Sequence, residues 1–130
     1  EPVPQGHHQH IGLLGPAALG PTGRQARGAR GDSGVVTNRN SVPNDPNGAW
    51  YTSGVRIGTP ALTSRGFGAD EFDTVAELIV DVLKNTTPVT ASNGQPGKAK
   101  YLLSDGVADR TKAASAELLS KCPLYPGLEL

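Results

Sequence analysis

The stretch TSGVRIGTPALTSRGFG, Thr52–Gly68, sets the fold and raises the first chemical question. YTSGVRIG (51–58) reads as a strand, rich in β-branched and aromatic residues with glycine at both corners. Gly58, Thr59 and Pro60 then turn the chain towards a helix. In mid-strand stands Arg56, between Val55 and Ile57, in a setting that looks buried. A guanidinium there is expensive to desolvate unless it meets an anion. Its planar fork suits a carboxylate, held by two parallel hydrogen bonds. Gly54 and Gly58 flank it on the same strand face, so the expectation is room for a ligand beside the charge. The competing expectation is an internal salt bridge to Asp70 or Glu71.

Downstream, GADEFDTVAELIVDVLKN (68–85) predicts an amphipathic helix. Phe72, Val75, Ala76, Ile79, Val82 and Leu83 form its apolar stripe. Asp70 and Glu71 lie at its positive end, Lys84 at its negative end, and Pro88 stands beyond as a stop. TTPVTASNGQPG (86–97) reads as a polar linker. A second helix is expected from about Lys98 to Lys121, with Leu103, Val107, Ala114 and Leu118 on one side, before an irregular tail, CPLYPGLEL. Upstream, GVVTN (34–38) is a short apolar run and NSVPNDPNGAW (40–50) a loop of turn formers. These readings give an α+β domain with short strands packed on two helices. Residues 1 to about 34 hold eight glycines, four prolines and no aromatic residue, so the expectation for 1–33 is a disordered segment.

A chain of 130 residues accommodates one modest domain. Lys+Arg 12 against Asp+Glu 12 argues against nucleic acid or an anionic membrane as an obligate partner. No apolar run approaches a membrane span, and the first residues lack the features of a signal peptide. A single cysteine, Cys122, permits no internal disulfide and fits a reducing, cytoplasmic setting. The absence of any methionine suggests a piece of something longer.

Several motifs fail on their chemistry. His7, His8 and His10 lack a neighbouring acid or cysteine to complete a metal site. Arg30–Asp32 spells an adhesion tripeptide in an unsuitable host. GPAALGPT (15–22) has phosphate-loop glycines, but Pro21 replaces the required lysine. Asp105 and Asp109 read as a solvated helix face.

NRNSVPNDP followed by TSGVRIGTPALTSRGFG closely resembles the carboxy-terminal domain of the serine (glycine) hydroxymethyltransferase family. The likeness runs from about Val35 to Leu130, through the helix after RGFG to the PLYPG tail. It implies the small domain, 34–130, of the type I pyridoxal-phosphate-dependent, aminotransferase-like fold. It further implies that Arg56 holds the α-carboxylate of serine or glycine. Asn40 would contact the pterin of tetrahydrofolate, Gly48, Ala49 and Trp50 would line the folate site, and Arg65 would be structural. The family uses pyridoxal phosphate, interconverts serine and glycine with tetrahydrofolate, and forms homodimers or larger assemblies.

The Schiff-base lysine motif of the family does not occur in this chain. Lys84, Lys98, Lys100, Lys112 and Lys121 all fall on predicted helices or the linker. Residues 1–33 do not resemble the family's strand and helix, beyond TGRQA (22–26) as a helix start, and a frameshift is the expectation drawn from that. The leading reading is a carboxy-terminal fragment that is inactive alone. The others are a standalone carboxylate-binding module and a pseudogene product.

Overall fold

A computed structural model describes residues 11–15 and 20–124. The elements in chain order are β1 (Ile11–Leu14), α1 (Gly23–Asp32), β2 (Asn38–Asn40), α2 (Gly48–Tyr51), β3 (Gly54–Gly58), α3 (Pro60–Ser64), α4 (Ala69–Lys84), β4 (Thr86–Thr90), β5 (Pro96–Leu103) and α5 (Val107–Lys121). The result is a small α+β architecture. One antiparallel sheet has the order β1-β3-β2, and β4 and β5 form a separate hairpin.

The helix expected over 68–85 is α4, with Ile79, Val82 and Leu83 buried, although Ala76 is exposed. Glu71 reaches back to the Gly68 N–H at 2.8 Å and fixes the first turn. The strand around Arg56 is β3, the middle strand of its sheet.

The disorder expected before residue 34 is overturned in its described part. Ile11–Leu14 pairs with β3, and Gly23–Asp32 is a helix with Ala26, Ala29, Arg30 and Gln25 fully buried. Thr22 and Gln25 form a capping box: the Gln25 N–H donates to Thr22 Oγ1, and Gln25 Oε1 accepts from the Thr22 N–H at 2.9 Å. The glycines read as breakers are places of close approach. A Cβ on Gly23 would collide with Thr52 Oγ1 and the Gly54 carbonyl, and one on Gly28 would meet the Tyr101 ring at 2.6 Å. Tyr101 passes over Gly28 to donate to Asp32 Oδ2 at 2.5 Å. Burial, and next the Asp32 carboxylate, push that phenol up to about 12. The tripeptide at 30–32 therefore belongs to a packed helix. The histidines at 7, 8 and 10 lie outside the described residues.

The long second helix is also corrected. Lys98–Leu103 belongs to β5, and the helix α5 starts only at Val107. Lys98, Lys100 and Leu102 are exposed while Ala99, Tyr101 and Leu103 are half-buried, a period of two. Asn93-Gly94 provides the turn, with Gly94 at φ 78°. The supposed linker therefore contains β4 and the turn into β5.

Helix α1 packs against β5, α4, β2 and β3 and so joins the two sheets. Ala26, Val55, Ile79 and Leu83 form one core cluster; Ala29, Val82 and Val107 form the other, with Tyr101 and Leu103 against it. At the far end, Arg65 donates to the Cys122 and Leu119 carbonyls at 2.8 and 3.0 Å, closing the α5 C-terminus, a structural role.

Two charged groups stand in contrasting settings. Arg30 is wholly enclosed. Its Nε donates to the Ala26 carbonyl at 2.9 Å, but Nη2 has no partner among the described residues, and burial pushes the guanidinium down to about 10. Asp45 instead staples the loop between β2 and β3. It accepts from the N–H groups of Val42, Asn47 and Ser53 at 3.1, 2.9 and 2.7 Å, and from Ser53 Oγ at 2.6 Å. Desolvation raises its carboxyl, but these hydrogen bonds, led by Ser53 Oγ, outweigh it and hold the group at about 2.

Opposite outcomes are expected from altering them. Arg30→Leu removes an uncompensated buried cation and should stabilise the chain by about 1–4 kcal/mol in urea unfolding. A loss of stability on that change would mean that the guanidinium has a favourable buried partner. The Asp45 staple is fully present above the ordinary carboxyl value of 3.8 and is lost as pH falls through about 2. Emission of Trp50, the only tryptophan, should therefore report loop loosening across that window, and Asp45→Asn should loosen the loop already at neutral pH.

Candidate functional site

The open face of the three-stranded sheet carries the candidate site. Arg56 stands directly between Leu13 of β1 and Asn38 of β2, and Asn40 stands opposite Gly54. Cross-strand partners and alternate residues share a face, so Leu13, Asn38, Asn40, Gly54 and Arg56 lie on one side. Val55 and Arg39 are on the other, where Val55 is fully buried.

The expectation of a buried Arg56 is corrected by this parity: Arg56 is exposed. The helices cover the Val55 face alone, so the arginine needs no internal anion. The salt bridge to Asp70 or Glu71 is absent among the described residues, and Glu71 is committed to the α4 start. Gly54 does not leave ligand space either. A Cβ there would meet the Asn40 carbonyl at 2.7 Å, Val42 Cγ1 at 2.8 Å and Leu13 Cδ1 at 3.1 Å. The glycine lets three segments converge beside Arg56.

Asn40 is exposed, its Nδ2 donating to the Ser41 carbonyl at 3.0 Å. Gly48, Ala49 and Trp50 lie on α2, at the end of the stapled loop, and all three are exposed, Trp50 by 63%. Gly48 has φ 67°, which suits glycine. Thr52 closes the loop at φ 57°, a strained conformation for a β-branched residue. It is held by its N–H donating to the Gly48 carbonyl and its carbonyl accepting from Gly23 N–H, each at 3.0 Å.

The sequence reading missed three neighbours. Asn38 adjoins Arg56 only through the β2–β3 register; the alternation in TNRN was its one signal. Arg39 and Arg24 place their guanidinium carbons 5.4 and 5.5 Å from the Trp50 ring centre, and no local pattern pairs α1 with that loop.

This set can bind and orient. Arg56 offers a fork to a carboxylate, the asparagines offer amide donors and acceptors, and Trp50 offers an aromatic surface. No lysine lies on this sheet, and among the described residues no three His, Cys, Asp or Glu side chains gather as metal ligands. A cavity of about 300 Å³ elsewhere is lined by Val35, Leu62, Phe67, Val75 and Leu118, without a charged group or any residue of the site. No helix among the described residues is long and apolar enough to cross a membrane.

The family model for serine hydroxymethyltransferase matches residues 1–79. A serine hydroxymethyltransferase of Cutibacterium acnes is 66% identical over 129 residues, covering 98% of this chain and 26% of that protein. That of Mycolicibacterium smegmatis is 66% identical over 128 residues, covering 98% and 25%. A third, from Treponema pallidum, is 46% identical over 124 residues, covering 95% and 22%. The likeness extends through residues 1–33, so the expectation of an unrelated or frameshifted segment falls. The chain spans about a quarter of the length of these curated relatives. It belongs to the serine hydroxymethyltransferase family.

Proposed function

We propose that this chain is the carboxy-terminal, substrate-holding part of an enzyme that interconverts serine plus tetrahydrofolate with glycine plus 5,10-methylenetetrahydrofolate. The observation that carries the reading is Arg56: an exposed guanidinium at the centre of a middle strand, without an ion pair among the described residues. A cation so held, with Asn38 beside it, suits the α-carboxylate of an amino acid. Asn40 would contact the pterin edge, and Gly48, Ala49 and Trp50 would line the folate site.

The described residues do not fit pyridoxal phosphate. Lys84 ends α4, Lys98 and Lys100 lie on β5, and Lys112 and Lys121 on α5, so none is on the Arg56 sheet. The α1 N-terminus, which could have met a phosphate, spends its Gly23 N–H on Thr52 and its Gln25 and Ala26 N–H groups on Thr22. In this reading the cofactor, which serves the family as electron sink, is held by the part of the enzyme that this chain does not span. The chain's own contribution is binding and orientation, in a cytoplasmic enzyme that works as a homodimer or larger assembly.

In a complete enzyme carrying this domain, Arg56→Ala should weaken serine binding by about 2–5 kcal/mol, tens to thousands-fold, with the fold intact because the side chain is exposed. Arg56→Lys should restore only part, since an ammonium lacks the fork. Unchanged serine affinity in Arg56→Ala would remove the carboxylate assignment. The 130-residue chain alone, mixed with pyridoxal phosphate, serine and tetrahydrofolate, should form no glycine above the protein-free background. Turnover there would overturn the fragment reading.

A further inference from the structure

Two of the chain's six asparagines, Asn47 and Asn93, are followed by glycine. The other four precede Arg39, Ser41, Asp45 and Thr86, whose Cβ atoms shield the intervening peptide nitrogen. Glycine has no Cβ, so in an Asn-Gly pair that nitrogen can reach the amide carbon of the asparagine side chain. The fold gives the two pairs opposite surroundings. Asn47 is half-buried in the stapled loop. Its Nδ2 donates to Ser53 Oγ and its N–H to Asp45 Oδ1, each at 2.9 Å, and Gly48 N–H donates to the Asp45 carbonyl at 3.4 Å. Asn93 stands at the tip of the β4–β5 hairpin, where Ala91 to Pro96 are all exposed. Its Oδ1 accepts from the Gln95 N–H at 3.1 Å, which polarises the amide carbonyl, while Nδ2 has no partner among the described residues. A Cβ at Gly94 would meet nothing within 4 Å. The Gly94 N–H donates to the Ala91 carbonyl at 2.9 Å, a bond that lies within the turn and opens with it.

We propose that Asn93-Gly94 is a self-modifying site, at which the folded chain deamidates in water while Asn47-Gly48 is protected. The Gly94 nitrogen attacks Asn93 Cγ and loses its proton. The Cγ–Nδ2 bond breaks, and Nδ2 leaves with that proton as ammonia, closing a cyclic imide. Water then adds to either imide carbonyl. Opening at Cγ gives aspartate; opening at the backbone carbonyl gives isoaspartate, whose main chain runs through Cβ and Cγ. Nothing is oxidised or reduced, and water is the only co-reactant. Either product adds a carboxylate, but isoaspartate alone adds a backbone carbon. The consequence follows from how the hairpin is built. Its turn is held by the Ala91 N–H on the Gln95 carbonyl at 2.8 Å and by the Gly94 N–H on the Ala91 carbonyl. An extra carbon between residues 93 and 94 misaligns both bonds. Three residues on, the Gly97 carbonyl accepts from Gln25 Nε2 at 2.8 Å, so the lesion sits beside the contact that joins the hairpin to α1. The hairpin carries none of the residues assigned to serine or folate, so the site is independent of that assignment.

The test incubates the folded 130-residue chain in mildly alkaline buffer and follows its peptides by mass spectrometry. Labelling by an isoaspartate-specific methyltransferase separates isoaspartate from aspartate. Asn47 must first give up its bond to Ser53 Oγ, and conversion at position 93 should therefore outpace that at 47 by roughly ten-fold or more. Urea should bring the two rates together by removing the protection of Asn47. Asn93→Ser should abolish the mass gain of the hairpin peptide. Gly94→Asp, which tolerates the positive φ but restores a Cβ, should slow it several-fold. In the aged protein, the isoaspartate fraction should exchange its Ala91 and Gly94 amides faster than Asn93→Asp does, since that variant carries the charge without the extra carbon. Circular dichroism of each variant checks that the fold is retained. An equal or faster rate at Asn47 in the folded chain, no mass gain at position 93, or indifference to Gly94→Asp would overturn the site. Amide exchange equal to that of Asn93→Asp would overturn its effect on the hairpin.

Discussion

The side-chain amide of Gln25 is the joint on which the two halves of this chain depend. Its Nε2 donates to the Gly97 and Lys100 carbonyls at 2.8 and 2.7 Å, while Oε1 accepts from the Thr22 N–H. Thr22 Oγ1 adds a bond to the Lys98 carbonyl at 2.9 Å. These bonds cap outward-facing carbonyls of β5, which would otherwise form an open edge. The same turn of α1 touches Thr52 and Gly54, at the entry to β3, so one buried amide links the hairpin to the three-stranded sheet. Gln25 is fully buried, and its hydrogen bonds satisfy both ends of its amide, which is what makes so polar a core residue tolerable.

Local pattern revealed elements whose reasons are local. Helix α4 has its apolar stripe, acidic first turn and Glu71 cap within sixteen residues, and the strand around Arg56 is bounded by its own glycines. Helix α1 was hidden because its glycines are explained by Tyr101, Thr52 and Gly54, all distant in sequence. Hairpin β4–β5 was hidden because Lys98–Leu103 suits a helix or a strand, and Asn93-Gly94 was read as linker. The site divides in the same way. Arg56 was singled out by its chemistry, and Asn40 and Gly48–Trp50 came from resemblance alone. Asn38 needed the register, and Arg24 needed the packing of α1 beside the loop. The depth of Arg56 was misjudged because a strand's sequence does not say whether one or both faces of its sheet are covered.

A sheet with one covered face has consequences for what it can carry. Val55 and Ile57 sit against Ala26, Ile79, Leu83 and Val75, and this burial holds the sheet together from one side. The opposite face is thereby released from any packing duty. Arg56, Asn38 and Asn40 can keep their polar groups in the open without desolvation cost, ready for a partner that supplies charge and hydrogen bonds. The contrast with Arg30 is instructive. The same side chain enclosed in α1 has an orphaned Nη2 and a depressed pKa, whereas on the open face it is an available donor.

Stiffness of the site comes from the same joint that holds the fold. Thr52 keeps a left-handed backbone that isolated threonine avoids, and such strain persists only where surrounding bonds over-determine it. Two do so: Gly23 N–H on its carbonyl, and Gly48 on its N–H. Gly48 begins the short helix bearing Trp50, and Gly23 begins α1, whose position Gln25 fixes against β5. The aromatic surface of the site is thus tied through a strained threonine to a buried amide two helical residues further on. A ligand meeting Trp50 encounters a loop whose ordering was completed on folding, so little conformational entropy is left to lose on binding.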